Sequence, residues 1–245
     1  MLKTQIEFEQ YIKSLLVSQK GKRIYCFQYN AQSYWLKQPE ELKGIWRILK
    51  PNPKKSFIRE LNKLKFLAEQ KAPVPELVCS GKDFLVLKDS GKTVSWWMVN
   101  CSCPIKMKNN ILIDVINAIL SLHKMNLTHG RPAIRDIIWN NGEVLFIDFE
   151  SPNIKKDLFY QRKRDILLFV YSLCREKTLS DEQIVLVLNE FEKKLSENLW
   201  QSILSSMKKL SWLYHFLSVF KPIAKTDLLA VYRLFENFST IIKNK

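Results

Sequence analysis

The stretch LTHGRPAIRDIIWNNGEVLFIDFE, Leu127–Glu150, decides the fold of this 245-residue chain. Its apolar runs IIW and EVLFI are strand candidates, and Asn141-Gly142 between them is a strong signal for a two-residue turn. Counting the register outward from that turn places Asp136 opposite Ile147. The stretch therefore predicts a β-hairpin whose open end carries Asp136 beside Asp148.

Two carboxylates at one end of a hairpin repel each other unless a cation lies between them. No cysteine or histidine ligand is near in the sequence, so the donors are oxygen atoms, which Mg²⁺ prefers. The pattern predicts a Mg²⁺ site formed by Asp136 and Asp148; the alternative is two solvated aspartates at strand ends. His129, in the preceding loop, is interpreted as a structural residue bonded to backbone rather than as a general base.

The N-terminal part, residues 1–89, is predicted to be a small sheet with one helix. The runs RIYCFQY, SYWLKQ, LVCSG and DFLVLKD are rich in the apolar, aromatic and β-branched residues that favour strands. Between the second and third runs, SFIRELNKLKFLAEQ repeats apolar residues at helical spacing, with Ser56 as its N-cap. The repeating positions are Phe57, Leu61, Leu64 and Ala68.

The C-terminal part, residues 90–245, is predicted to be mostly helical after a hinge near Asp89–Lys92. The run NNILIDVINAILSLHKM is a strong helix, and the pattern is helical from Ile154 onward. The apolar segments SWWM (Ser95–Met98) and LSWLYHFLSVF (Leu210–Phe220) are interpreted as core packing, with contact to a membrane or acyl chain as the alternative. The longer of them is too short to span a bilayer as a helix. The whole chain is expected to be an α+β fold of two lobes.

The composition narrows the partners and the compartment. A formal net charge of +15 favours polyanions such as nucleic acid, an anionic membrane face or phosphorylated substrates. The lysines are dispersed and no nucleic-acid-binding motif is present, so no specific nucleic-acid binding is expected. The five cysteines lack the paired spacing of zinc sites and indicate reduced thiols of a cytoplasmic protein. The segment MLKTQIEFEQYIKS lacks the apolar run of a secretory signal.

Lys37 at the end of a strand and Glu60 in the next helix complete a pattern that resembles the protein-kinase-like fold. The order of strand-Lys, helix-Glu, hinge, helix, histidine loop, hairpin and Asp-Phe covers nearly the whole chain. By this resemblance Lys37 contacts the phosphates of ATP and Glu60 is its ion-pair partner. HGRPAIRD (His129–Asp136) resembles the catalytic loop, and DFE (Asp148–Glu150) resembles the metal-binding D-F-G. Asp165 resembles the buried helix aspartate that braces the catalytic loop.

The small size, the absence of A-P-E and the short connection after the hairpin resemble the small bacterial kinases of the lipopolysaccharide-core type, which act on Kdo or heptose sugars. The resemblance implies an ATP- and Mg²⁺-dependent phosphotransferase with a non-protein hydroxyl acceptor. Such an acceptor is an anionic, phosphorylated glycolipid, which a protein of charge +15 would attract. We therefore expect a cytoplasmic protein with peripheral contact to the inner membrane face.

Several positions depart from the kinase pattern. Arg131 replaces the catalytic aspartate, Asp136 the asparagine and Glu150 the D-F-G glycine, while the Gly-rich loop is reduced to Gly21. Arg131 has three interpretations: an ion pair with Asp136 or Asp148 that abolishes catalysis, stabilisation of the transferring phosphoryl group, or support of the loop. The first predicts a pseudokinase or nucleotide-sensing scaffold. The second, in which Asp136 or Glu150 orients the acceptor, predicts an enzyme, because phosphoryl transfer depends mostly on positioning and electrostatics.

Overall fold

Two antiparallel sheets combined with many helices give the chain an α+β fold. The computed structural model describes residues 2–41, 52–149, 157–221 and 224–243. The chain divides into two units, Met1–Ser90 and Gly91–Lys245. The described elements of the first unit are α1 (Leu2–Ser18), β1 (Ile24–Tyr29), β2 (Gln32–Lys37), α2 (Pro53–Glu69), β3 (Leu77–Ser80) and β4 (Leu85–Lys88).

The first unit contains an antiparallel sheet in the order β1-β2-β4-β3, and its strands match the four predicted runs. Helix α1 packs on one face of this sheet, where Ile12 and Leu15 meet Phe27, Leu36 and Val86. No helix was predicted for this segment, although Phe8, Ile12 and Leu15 recur in it at helical spacing.

Helix α2 packs on the other face of the sheet. Phe57 and Leu61 bury themselves against Leu85. Leu85 and Val86 are consecutive in β4, and consecutive strand residues face opposite sides of a sheet, so α1 and α2 cover opposite faces.

The start and the apolar face of α2 differ from the prediction. The helix begins at Pro53, before the N-cap predicted at Ser56. Proline suits the first helical position because its φ is already helical and its missing N–H would have no partner there. Ala68, predicted on the apolar face, is exposed, and Leu67 is buried instead.

The second unit combines a small sheet in the order β5-β6-β7 with a group of helices. Side chains of Asp157, Ser180 and Ser196 cap the helices that begin at Leu158, Asp181 and Glu197, where they accept hydrogen bonds from N–H groups of the first turn.

The prediction of helix after Ile154 is confirmed for its described part, whereas β5 and α3 were not predicted. The described elements are β5 (Lys92–Thr93), α3 (Val94–Asn100), α4 (Ile105–Lys124), a 3-10 turn (Ile134–Asp136), β6 (Ile137–Asn140), β7 (Glu143–Phe146), α5 (Leu158–Arg175), α6 (Asp181–Lys194), α7 (Glu197–Lys209), α8 (Ser211–Ser218) and α9 (Thr226–Lys243).

Helix α8 contradicts the prediction of core packing for the run LSWLYHFLSVF. None of its residues is buried, and the side chains of Trp212 and Phe216 are 64% and 62% exposed. In the other apolar segment, Met98 is buried as predicted while Trp96 is exposed. Among the described residues, no helix has the length and apolarity needed to cross a membrane.

Candidate functional site

The hairpin that the sequence predicted between Asp136 and Asp148 is present. Strands β6 and β7 pair in the predicted register, and both turn residues, Asn141 and Gly142, have positive φ values of 47° and 92°. The ladder extends one step beyond the strands, because the N–H of Ile147 donates to the carbonyl oxygen of Asp136 at 2.9 Å. The open end of the hairpin therefore carries both aspartates, close enough for the charge of one to act on the other.

Asp136 is buried and lacks a full set of hydrogen bonds. Its residue is 7% exposed, and its Oδ2 atom has no hydrogen-bond partner among the described residues. Burial raises the pKa of Asp136 above its ordinary value, and the carboxylate of Asp148 raises this pKa further. The guanidinium groups of Arg135 and Arg131 lower the same pKa but do not cancel the effect of burial. A buried acceptor without a donor costs free energy that a bound cation would recover.

The backbone at Asp148 is held in a conformation that few non-glycine residues adopt. Its φ is 61°, in the left-handed region, and the residue is exposed, two positions after the end of β7. Aspartate and asparagine tolerate this region better than most other side chains do. Such strain is common at functional sites, where the surrounding structure compensates for it.

Asp165 fixes the loop before the hairpin, as predicted. Its carboxylate is almost fully buried on α5 and accepts hydrogen bonds from the backbone N–H groups of His129 and Gly130, both at 2.8 Å. The Nε2 atom of His123 lies 3.2 Å from the same carboxylate, and Arg164 donates to the carbonyl oxygen of Gly130. Two charge-assisted bonds to successive backbone groups leave the loop little freedom.

His129 is a structural residue, also as predicted. Its Nε2 atom lies 2.9 Å from the carbonyl oxygen of Ile147, so this nitrogen carries the hydrogen and donates it. The remaining nitrogen, Nδ1, accepts from the N–H of Arg131 at 3.3 Å. The imidazole ring also stacks on Phe149, with ring centroids 4.6 Å apart. His129 therefore holds both chain neighbours of Asp148.

Within the part of the chain that the structure describes, an ion pair joins Asp136 to Arg135, a residue that was not singled out from the sequence. Its Nε atom lies 3.7 Å from Oδ2 of Asp136, within ion-pair range but too far for a hydrogen bond. Arg131 is exposed and acts on Asp136 through its charge. The signal that could have identified Arg135 is its position directly before Asp136 in the sequence.

In the first unit, the ion pair expected between Lys37 and Glu60 is present and partly buried. Lys37 lies at the end of β2 opposite Leu85 of β4, and Glu60 lies on α2 between Phe57 and Leu61. Because those two helix residues pack against Leu85, the helix brings Glu60 to Lys37. The pair is thus positioned by apolar packing on both sides of Glu60.

Two further departures from the kinase pattern concern Gly21 and Glu150. Gly21 lies in the turn between α1 and β1 with a φ of 84°, where a side chain would be strained. Glu150 lies outside the described residues.

The donor set at the hairpin end suits a hard divalent cation. Among the described residues, no group of three or more His, Cys, Asp or Glu side chains could hold a metal. Mg²⁺ is nevertheless often bound by one or two carboxylates, with substrate phosphates and water completing the shell. The Oδ2 atom of Asp136, which accepts no hydrogen bond, and the neighbouring Asp148 fit that requirement. All five cysteines lie within the described residues, and no disulfide bond joins any of them.

Comparison with other proteins places the chain in a family. No protein-family model matches it. A Haemophilus influenzae Rd protein, described as uncharacterized, is 47% identical to it over 239 residues, which is 98% of each chain. Identity at this level over the whole length means that the chain belongs to the same protein family as that Haemophilus influenzae protein.

Proposed function

We propose that the protein is an ATP- and Mg²⁺-dependent phosphotransferase with a two-lobed, protein-kinase-like fold. The observation that carries the proposal is the buried carboxylate of Asp136 next to Asp148; the Oδ2 atom of Asp136 accepts no hydrogen bond and has Arg135 only at ion-pair distance. A second support is the rigid loop beside it, held by Asp165 through two backbone hydrogen bonds. Phosphoryl transfer relies on such positioning more than on covalent chemistry by the protein.

Each unit is assigned its own role. In the first unit, Lys37, paired with Glu60, is proposed to bind phosphate groups. In the second unit, Asp136 and Asp148 are proposed to hold the metal. When bound, Mg²⁺ neutralises the charge of the β- and γ-phosphates. The acceptor hydroxyl oxygen bonds to the γ-phosphorus as the bond to the bridging oxygen breaks, giving a phosphate ester and ADP. The hydroxyl proton passes to the transferred phosphate or to water.

Arg131 has a role in this scheme that differs from that of the aspartate it replaces. Its exposed guanidinium is close enough to lower the pKa of Asp136, so a phosphoryl group near Asp136 would also feel its charge. An arginine in that place stabilises the charge of a transferring phosphoryl group. The acceptor is a non-protein hydroxyl, such as a sugar of the lipopolysaccharide core, and a net charge of +15 favours such an anionic molecule.

The same arginine supports a second candidate function, a pseudokinase that binds nucleotide without turnover. A guanidinium near Asp136 competes with a metal ion for the carboxylates. In that case the protein would sense nucleotide or act as a scaffold. The two candidates differ in whether Mg²⁺ strengthens ATP binding and whether phosphate is transferred.

Thermal unfolding with ATP, with and without Mg²⁺, tests nucleotide binding without knowledge of the acceptor. Ligand at about 100 times its dissociation constant stabilises by ~2.7 kcal/mol, on the order of 5–10 °C for a chain of this size. We expect a Mg²⁺-dependent shift that Asp148→Asn abolishes. Asparagine is the suitable replacement because it tolerates the left-handed φ of this position.

A matched pair of lysine variants controls for loss of charge in the first unit. Lys37→Met should remove the shift, whereas Lys88→Met should retain it, because Lys88 pairs with Glu76 in an exposed ion pair. Mg²⁺-dependent stabilisation with release of ADP in the presence of core sugars supports the enzyme. Stabilisation by ATP that does not depend on Mg²⁺, without transfer to any acceptor, favours the pseudokinase. No stabilisation by saturating ATP contradicts both.

A further inference from the structure

An exposed stripe of apolar side chains runs along α8 and the turn that follows it. Trp212, Phe216, Val219 and Phe220 are spaced i, i+4, i+7 and i+8, and therefore lie on one helical face. Val219 retains right-handed helical angles, so the face continues past the end of the helix. The exposed fractions are 64%, 62%, 77% and 42% in chain order. We call these four residues the apolar stripe.

The opposite side of α8 is anchored to the rest of the second unit. The hydroxyl of Tyr214 donates to Glu236 at 3.0 Å, and the hydroxyl of Tyr232 donates to the carbonyl oxygen of Leu217. The ring of Tyr214 also packs on Phe235, with centroids 5.8 Å apart. The helix is thus attached through one side and presents the apolar stripe on the other.

Lysines flank the apolar stripe at both ends. Lys208 and Lys209 precede α8, and Lys221 and Lys225 follow it; all four are exposed. The segment from 208 to 226 contains no aspartate or glutamate. Glu236 offsets part of this charge, since its carboxylate lies 2.9 Å from Nζ of Lys221.

The combination of the apolar stripe with flanking lysines favours a lipid surface over a protein as the partner. Protein interfaces are depleted in lysine, whereas interfacial membrane helices join aromatic residues on one face with lysines beside them. Anionic headgroups attract each lysine near the membrane surface, and the transfer of the apolar side chains out of water lowers the free energy.

We propose that the apolar stripe and its flanking lysines bind the surface of an anionic phospholipid bilayer. Trp212 and Phe216 enter the boundary between headgroups and acyl chains, and the lysines contact lipid phosphates. This binding needs neither nucleotide nor metal. Its test is therefore independent of the proposed phosphotransferase activity.

Vesicle flotation of the full chain tests the proposal. We expect binding to vesicles of phosphatidylcholine mixed with phosphatidylglycerol, and much weaker binding to phosphatidylcholine alone. Trp212→Gln and Phe216→Gln should each lower the partition coefficient about tenfold. Lys208→Gln/Lys209→Gln should lower it about fivefold per charge at low salt, and less at high salt.

Two control variants match these changes elsewhere on the surface. Phe66→Gln replaces an aromatic side chain that is 50% exposed on α2. Lys82→Gln/Lys177→Gln removes the same charge from two exposed lysines. Both controls should bind vesicles as the native chain does. Equal far-ultraviolet circular dichroism and unfolding midpoints verify that all variants fold.

Insertion depth is read from tryptophan quenching by brominated lipids. Trp212→Phe retains an apolar ring, so it should still bind while losing most of the binding-dependent quenching. Failure of the native chain to bind anionic vesicles overturns the proposal, as does native-like binding by Trp212→Gln and Phe216→Gln. Dimerisation that these two variants abolish, without any vesicle binding, would instead assign the apolar stripe to a second copy of the chain.

Discussion

At the residue scale, Asp136 is a buried carboxylate whose burial lowers the stability of the fold. Its carboxylate is buried on a 3-10 turn, with Arg135 nearby at ion-pair distance and Oδ2 without a hydrogen bond. Selection for stability alone would remove such a group. Residues that lower stability are often retained where they serve a function. The kinase pattern has a neutral asparagine at this position. The carboxylate of Asp136 adds a second negative charge beside Asp148, so a bound cation would stabilise the two residues more.

Asp136→Asn is expected to stabilise the protein near neutral pH. Burial raises the folded-state pKa of Asp136 above its unfolded value, so ionisation lowers stability as pH rises from the unfolded pKa through the folded pKa. Asparagine cannot ionise, and we expect the free energy of unfolding at pH 7 to rise by about 1 kcal/mol. Urea unfolding across pH measures this.

The pH dependence separates ionisation from other effects of Asp136→Asn. At acidic pH both proteins are neutral at this position, so the gain should disappear there. The variant should also show a smaller Mg²⁺-dependent shift with ATP. A stability difference that is constant across pH, or absent at pH 7, would contradict the assignment of burial as the cause.

At the element scale, the β6–β7 hairpin is a local structure whose turn sets the spacing of the two aspartates. Its two turn residues adopt positive φ, which matches the right-handed twist of the strands. A side chain at Gly142 would meet no atom within 4 Å, so any cost of adding one comes from the backbone.

Gly142→Ala is expected to lower the free energy of unfolding by about 1 kcal/mol, because alanine is strained at a φ of 92°. Asn141→Gly serves as the control, since glycine accepts a φ of 47° and should change stability little. Urea unfolding midpoints and slopes measure both variants. Equal stability of Gly142→Ala and the native chain would show that the turn relaxes to another conformation.

At the scale of the whole molecule, the net charge of +15 opposes folding through self-repulsion. Salt screens this repulsion, so the midpoint of thermal unfolding should rise from low to physiological ionic strength. A differential scanning measurement in sodium chloride checks the direction. A falling midpoint would mean that attractive ion pairs, such as Arg233 with Asp181 and Arg175 with Asp227, outweigh the repulsion.

Contacts close in sequence, or between strong elements, followed from the amino-acid order. The hairpin register came from its two-residue turn, and that prediction succeeded because the turn fixes the register locally. The Lys37–Glu60 ion pair and the bracing role of Asp165 came instead from the resemblance to the protein-kinase-like fold. The elements that carry these residues were predicted from periodicity.

Burial, by contrast, was decided only by the tertiary structure. Periodicity shows that a helix has an apolar face but not whether another element covers it. Leu67 therefore replaced Ala68 in the core, and Trp212 and Phe216 stayed exposed although their segment is the most apolar of the chain. The unpartnered oxygen of Asp136 likewise depends on which donors the packed chain brings near it. The sequence by itself determined most of the described strands and helices and the positions of the hairpin aspartates, while three-dimensional packing decided which groups lost water and which kept it.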